Sequence, residues 1–437
     1  MKNTRQEQKR KRIQKKREEN IKMSKDLLLQ TSIEKLVSKE KTLPILMEEP
    51  LLPPEEEHKN FKEELEKRAK SRAKKDKPFI SDSPNLKIVK EGIQRLCIRN
   101  SQSPGDILML TATIRDLNKA YPGKFKTAVR TSCKELWDNN PYISDFDVGA
   151  DDVINIKANY PLIHRSNTSP YHFIHGFTQD FEELLKVKIP VTDFKADIYL
   201  SDEEKSWVSQ VEELGIKDDF WVLAAGGKYD YTAKWANPQT LQKVVDYFRG
   251  GITFVQIGQK DHWHPPLKGV VNLIGKTNLR QLIRLIYHSV GVLCPVTFAM
   301  HAAAGVPVPE HKMRPLNRAC VVIAGGREPM QWEAYPHHRY LCVNGCLPCC
   351  DNGGCWKSRC QKVGDGDDKD KDKNLCEFPV NIGKDYKTGD DLFIPKCMNM
   401  ITADDIIRAI EMYYEADMIR YGSSVDLIDV SEKSPLL

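Results

Sequence analysis

The chain has 437 residues, with 66 Lys plus Arg, 61 Asp plus Glu and 12 Cys. That length suits two or three domains at the usual ~100–200 residues each, and 40% hydrophobic with 8% aromatic residues excludes a wholly disordered or collagen-like chain. No apolar run approaches the ~18–20 residues of a membrane span, and the basic N-terminus lacks the apolar stretch of a signal peptide, so a cytoplasmic protein is expected.

The net charge of +5 is unevenly spread. Residues 1–78 hold 23 Lys/Arg against 15 Asp/Glu, a net +8, and the remaining 359 residues carry −3. Residues 1–85 therefore read as a basic charged arm, disordered or helical, with too little apolar surface to fold alone. Its clustered cations would make weak, non-specific contact with anionic surfaces, including the inner face of a membrane. Stacking aromatics are missing, which argues against an RNA-binding arm.

From residue 86 the pattern alternates strand and helix. Gln94–Arg99 reads as a strand, ILMLTATIRDLNKAY as an amphipathic helix, and FKTAVRT as the next strand. CKELWDNN reads as a helix, VINIKA as a strand and HFIHGFTQDFEELL as a helix. DIYLSDEEKSWVSQVEELGI follows as a connection containing a helix, with Ser201 and Glu204 spaced as a capping box. A second series starts at Asp219: FWVLAAGG, ITFVQIG, VVNLIG, GVLCP and ACVVIAG are strands, with PQTLQKVVDYFRG, LRQLIRLIYHS and TFAMHAAAG between them. Such alternation predicts parallel, doubly wound sheets. The expected organisation is an N-terminal Rossmann-like domain over 86–215, a second over 216–341, a Cys-rich insertion over 342–400, and a C-terminal helix and tail over 401–437.

Four segments carry chemistry. In Ser103-Pro-Gly-Asp-Ile-Leu-Met-Leu-Thr111, a loop with Gly105 places Asp106 at a helix start on the carboxyl edge of the sheet, where ligands of open α/β sheets bind. Asp106 there serves either as a helix cap or as a general base. In Leu223-Ala-Ala-Gly-Gly-Lys-Tyr-Asp-Tyr-Thr-Ala-Lys-Trp235, Gly226 and Gly227 allow close backbone approach, and Lys228 and Lys234 can neutralise a diphosphate. In Cys294-Pro-Val-Thr-Phe-Ala-Met-His301, Thr297 opens a helix whose free amides favour an anion, and His301 follows on the same face. In Val255-Gln-Ile-Gly-Gln-Lys-Asp-His-Trp-His264, a strand ends in polar residues, Gln259 and Asp261 among them, and the two histidines read as polar surface.

Beyond these four stands a cysteine block. Cys97, Cys133, Cys294 and Cys320 are scattered and read as small buried hydrophobes. The other eight fall between Cys342 and Cys397, and in a cytosolic chain such clustering favours thiolate metal binding over disulfides. Cys346-x-x-Cys349 fits half of a tetrahedral site, with Cys376 and Cys397 available for the rest; zinc and iron both suit four sulfurs. Gly364-Asp-Gly-Asp-Asp-Lys-Asp-Lys-Asp-Lys373 contains a DxD but reads as a solvated, charge-alternating loop.

GDILMLTATIRDLNKAYPGKFKTAVRTSCKELWDNNPYISD resembles the opening of glycosyltransferase family nine, the ADP-heptose heptosyltransferases, over about residues 93–343. The resemblance implies a GT-B fold: two Rossmann-like domains facing a cleft, and a last helix crossing back. It implies that Asp106 is the base, that Lys234, just before Trp235, binds the donor phosphates, and that Gln259 and Asp261, in the loop that holds the nucleotide, are ribose or base contacts. Thr297 and His301 match the family's Asp-Thr-Gly-x-x-His, but Val296 replaces its Asp and Phe298 its Gly. The Cys-rich block is similar to that of the protein heptosyltransferases that modify autotransporters, which favours Cys349, Cys355, Cys376 and Cys397 as ligands of a structural metal. The implied activity is inverting transfer of a sugar, heptose favoured, from an ADP-sugar to a hydroxyl of a lipopolysaccharide, polysaccharide or protein, with no catalytic metal required. Two alternatives are a catalytically inactive binding module using the arm and metal finger, and a Rossmann oxidoreductase, against which the missing G-x-G-x-x-G argues.

Overall fold

The computed structural model describes residues 92–309, 317–416 and 419. The basic arm and the C-terminal tail beyond Ile419 lie outside the described residues, and with them the expected anionic-surface contact.

The chain is α/β with two parallel sheets. The first half runs β1 (Gln94–Asn100), α1 (Pro104–Ala120), β2 (Phe125–Thr131), β3 (Val153–Lys157) and α2 (Ile174–Leu185). Its sheet has the order β2-β1-β3, with Cys97 beside Ala128 on one side and Asn155 on the other. The segment expected as a helix at CKELWDNN is only a 3-10 turn, Lys134–Trp137. Two short helices, α3 (Asp202–Ser206) and α4 (Gln210–Glu213), form the connection, and Ser201 and Glu204 make the capping box.

The second half runs β4 (Phe220–Ala224), α5 (Pro238–Tyr247), β5 (Thr253–Ile257), β6 (Val271–Asn272), α6 (Leu279–His288), β7 (Gly291–Pro295), α7 (Phe298–Gly305), β8 (Ala319–Gly325), α8 (Met330–Glu333) and β9 (His338–Cys342). The sheet order β6-β5-β4-β7-β8-β9 reverses direction between β4 and β7. That reversal is the topological switch point at which open α/β sheets bind ligands. Beyond β9, the cysteine-rich segment forms an antiparallel hairpin, β10 (Pro379–Lys384) with β11 (Asp391–Pro395), and runs into α9 (Lys396–Asn399).

The closing helix, α10 (Ala403–Glu415), starts at a Thr402–Asp405 capping box. Its buried face, Ile406, Ile407, Ile410 and Tyr413, packs into the core of the second sheet, and Tyr413 donates its hydroxyl hydrogen to the Cys320 carbonyl at 3.1 Å. The helix was expected to cross back to the first half; as far as Glu415 it packs on the second.

α1 explains how the halves meet. It is buried from Ile107 to Leu117, not along one stripe, because it lies between its own sheet and the helices α2 and α7. A helix apolar all round is the form that such a position requires. Its polar residues are paired: Arg115 reaches Asp116 and the main-chain carbonyls of Asp193 and Lys195, and Thr111 donates to Leu108. The apolar core is continuous from Leu96 and Met109 to Met300 and Ala303. No described helix is long and apolar enough to cross a membrane.

Candidate functional site

The start of α1 is set by a proline at its first position and by Ser103 as N-cap, whose amide donates to the Asp106 carboxylate at 3.1 Å. Asp106 thus does cap the helix, which leaves its second role open. Tyr160, from the loop after β3, stands close enough to the same carboxylate to help stabilise its charge. Burial pushes the Asp106 carboxyl above the ordinary range, while the Ser103 amide and the nearby Lys234 ammonium hold it down. A half-buried carboxylate that binds protons more readily than a free one is a better base near neutrality.

Lys234 comes from the second half, at the end of the 3-10 turns over Tyr229–Lys234 that follow β4. Its Nζ lies 2.8 Å from Glu328 Oε1 and donates to the Val296 carbonyl at 3.2 Å. Thr297 caps α7 by accepting from the Ala299 amide at 3.2 Å. Lys234 therefore stands beside the positive end of α7, and a cation next to free helix amides is a suitable seat for a diphosphate. The side chain of Val296, where the resemblance leads one to expect Asp, is buried.

His301, one turn into α7, closes the seam between the halves. A Cβ added at Gly105 would come within 3.3 Å of its ring, so Gly105 lets α1 and α7 meet here. His301 Nδ1 bonds the Tyr335 hydroxyl at 2.8 Å, and that hydroxyl donates to Met109 Sδ on α1 at 3.1 Å. Burial holds the imidazole neutral, its pKa well below the usual value. Its Nε2 faces Glu333 Oε2 at 3.6 Å, and burial, reinforced by the Glu328 charge, pushes the Glu333 carboxyl well above the ordinary range. The Glu328 carboxylate is buried as deeply but kept ionised by Lys234 and Arg327. Asp106, Lys234, Thr297 and His301 thus gather at one seam.

Gly226 and Gly227 do something different from what their spacing suggests. A Cβ on Gly226 would meet the Trp263 carbonyl at 2.0 Å, and Gly227 exchanges hydrogen bonds with Trp263, its amide donating at 2.9 Å and its carbonyl accepting at 3.0 Å. Gly258 likewise leaves room for the His264 ring. The close approach that the glycines permit is taken by this chain's own backbone, stacking Trp263 on Trp235 at 4.2 Å. His264, read as surface, is buried by that packing. Exposed Lys228 and Asp261 both lie within electrostatic reach of the half-buried His262, on the same loop edge as Gln259.

Tyr160, Arg327, Glu328, Glu333 and Tyr335 were not singled out from the sequence. The signal for two of them was present: β8 ends in Gly325-Gly326 and runs directly into Arg327-Glu328, as β4 runs into Gly226-Gly227.

Cys349, Cys355, Cys376 and Cys397 line one small cavity, together with Arg327, Lys357 and Ala233. Cys346 is exposed and takes no part in it. Burial and then the neighbouring thiols push Cys349 up to about 12 and Cys397 to about 11, whereas a hydrogen bond from Cys360 draws Cys376 down to about 7. Among the described residues no three His, Cys, Asp or Glu side chains are drawn together closely enough to ligate a metal ion as they stand. The donor set nonetheless fits zinc or iron by its chemistry, since the four cysteines that line this one half-buried pocket offer soft thiolate ligands whose charges a cation would offset.

No family model matches the sequence, and no curated protein matches it. Among solved structures, the Escherichia coli ADP-heptose LPS heptosyltransferase II is 13% identical, covering 74% of this chain and 99% of its own, at a TM-score of 0.43. The iron-containing dodecameric glycosyltransferase TibC from enterotoxigenic E. coli H10407 is 16% identical, over 75% of this chain and 77% of its own, at 0.48. A glycosyl transferase family 9 protein from Veillonella parvula DSM 2008 is 14% identical, over 57% and 85%, at 0.44.

Proposed function

We propose that this chain is an inverting glycosyltransferase that moves a sugar from a nucleotide-diphosphate donor to a hydroxyl acceptor. The observation that carries the reading is the meeting of Asp106, from the first sheet's edge, with Lys234 beside the α7 N-terminus at the second sheet's switch point. A base and a phosphate-neutralising cation come from opposite halves.

In this reading Asp106 takes the proton of the acceptor hydroxyl as its oxygen attacks the anomeric carbon. The bond from that carbon to the diphosphate oxygen breaks with inversion, and the electron pair leaves on the diphosphate. Lys234 and the α7 amides beside Thr297 stabilise the charge that develops there. Glu328 orients Lys234, and neutral His301 borders the same seam. Lys228, Gln259 and Asp261 stand on the loop edge available to the nucleoside.

The favoured donor is ADP-heptose, by the resemblance of the opening segment, and the acceptor is a glycan or protein hydroxyl. Cys349, Cys355, Cys376 and Cys397 would hold a structural zinc or iron, whose chemistry is to cross-link the finger. The test is calorimetric titration of the full chain with ADP, ADP-sugar and competing nucleotides, comparing wild type with Lys234→Ala. Selective binding of the adenine nucleotide that is lost in the variant supports the reading. A folded, metal-loaded protein that binds none of them overturns it in favour of a binding module.

A further inference from the structure

The charge-alternating loop is not simply solvated. Its carboxylates fold around Arg359, whose side chain is completely buried. The guanidinium donates to both oxygens of Asp365, at 3.1 and 2.9 Å, and pairs with Asp370; Asp370 is itself held by the amides of Val363 and Gly364 at 3.0 Å. Arg359 thus takes up one carboxylate from each of two D-x-D pairs, Asp365/Asp367 and Asp368/Asp370.

The third partner of Arg359 lies elsewhere in the chain. Its Nη2 reaches Asp230 Oδ1 at 3.3 Å, in the turn that ends with Lys234. On either side of Arg359 the main chain is bound to that turn: Ala233 N–H donates to the Ser358 carbonyl at 3.1 Å, and Cys360 N–H donates to Thr232 Oγ1 at 2.8 Å. Lys369 adds a second cation 3.5 Å from Asp230 and lies 5.5 Å over the Tyr231 ring. Residues 230 to 233 are therefore gripped from the finger side, and Lys234 is the next residue in the chain. A guanidinium buried at this depth is tolerable only while its carboxylates stay in place, which makes the grip a rigid one.

We propose that Arg359 is a positioning residue for the donor site: it ties Asp230 to the Asp365/Asp370 loop and so fixes the turn that aims Lys234 at the diphosphate. The inference rests on the glycosyltransferase reading for its functional half only. Its structural half, that Arg359 and Asp230 jointly order the turn, can be tested without any nucleotide.

Two measurements on the full chain decide it, made on Asp230→Asn, Arg359→Gln, Arg359→Lys and the Asp230/Arg359 double variant. Asp230→Asn is the gentlest, because it leaves Arg359 its other two carboxylates. In hydrogen exchange, the amides of 229–235 should exchange at least about ten-fold faster in Asp230→Asn and Arg359→Gln, with Arg359→Lys in between. In ADP titration, the dissociation constant should rise about five- to ten-fold in each single variant and no further in the double, the non-additivity expected of residues acting as a pair. Unchanged exchange over 229–235 overturns the proposal outright. Additive losses of ADP affinity also overturn it, because Asp230 would then touch the nucleotide itself. Faster exchange in a protein whose wild type binds no ADP keeps the ordering role and refutes the glycosyltransferase reading instead.

Discussion

Lys234 Nζ and Glu328 Oε1 stand 2.8 Å apart, an ion pair that joins the turn after β4 to the segment after β8. Glu328 is buried and also holds Arg327, so its carboxylate serves two cations and stays ionised. The pair holds the ammonium beside the α7 N-terminus, so that in the proposed reaction an arriving diphosphate would find a cation already aimed.

Lys234→Ala should therefore act twice. ADP affinity should fall by about ten- to a hundred-fold, the worth of one charge-assisted bond. The unfolding free energy should drop by about 2 kcal/mol, because Glu328 keeps Arg327 but loses its other partner. Calorimetric titration and urea denaturation on one preparation check both; an affinity loss without any stability loss would mean that the ion pair is not formed in solution.

Asp106→Asn preserves shape and the Ser103 contact while removing the base. Turnover should fall by about a hundred- to ten-thousand-fold with ADP affinity unchanged. The wild-type acid limb carries a further signature. Only ionised Asp106 can accept a proton, and burial raises its pKa, so kcat/KM should rise with pH through a value above the ordinary aspartate range. A limb centred at or below the ordinary value would count against Asp106 as the base.

How much of this was legible in the sequence depends on the range of the interaction. Asp106 and Thr297 could be placed at helix starts because caps and strand edges are local patterns, although the N-cap of α1 is Ser103 and Asp106 sits three residues on; the Ser201–Glu204 box formed as written. Glu328 and Tyr335 could not, because their meaning comes from Lys234, 94 residues away, and from Met109, 226 residues away. The glycines were noticed, but not the neighbour they admit: Gly226 marks a close approach, and only the fold shows that the Trp263 backbone makes one. Alternating charge in Asp365–Lys373 looked like solvated surface because nothing in that stretch announces a buried arginine six residues before it. β9 and the β10–β11 hairpin are short elements inside polar, cysteine-rich sequence, where alternation is too brief to show.

The cysteine cavity makes a prediction that does not depend on turnover. Protein purified in the presence of zinc or iron should hold about one metal per chain by mass spectrometry under native conditions. Cys355→Ser and Cys397→Ser should lose it, and Cys346→Ser should retain it, since Cys346 lies off the cavity. Metal loss should also lower the unfolding midpoint, because binding energy at such sites is folding energy. Equal loss from all three variants would move the site toward Cys346.

Two buried groups, His172 just before α2 and Asp180 within it, give opposite pH signatures that can be separated by mutation. Burial pulls His172 down to about 4, and burial raises Asp180 to about 6. The unfolded histidine titrates near 6.5, so between pH 6.5 and 4 the unfolded chain binds a proton that folded His172 refuses; this contribution is lost as pH falls. Asp180 works the other way: between pH 6 and about 3.8 the folded chain holds the proton, so its contribution grows as pH falls. Each is worth on the order of 3 kcal/mol across its window, and in the wild type they largely offset one another. Relative to wild type, Asp180→Asn should expose the histidine slope, with stability falling from pH 6.5 to 4. His172→Phe should expose the aspartate slope, with stability rising as pH falls from 6 to 4. Urea midpoints at half-unit pH intervals distinguish the two, and parallel profiles for all three proteins would show that neither group is buried as the fold places it.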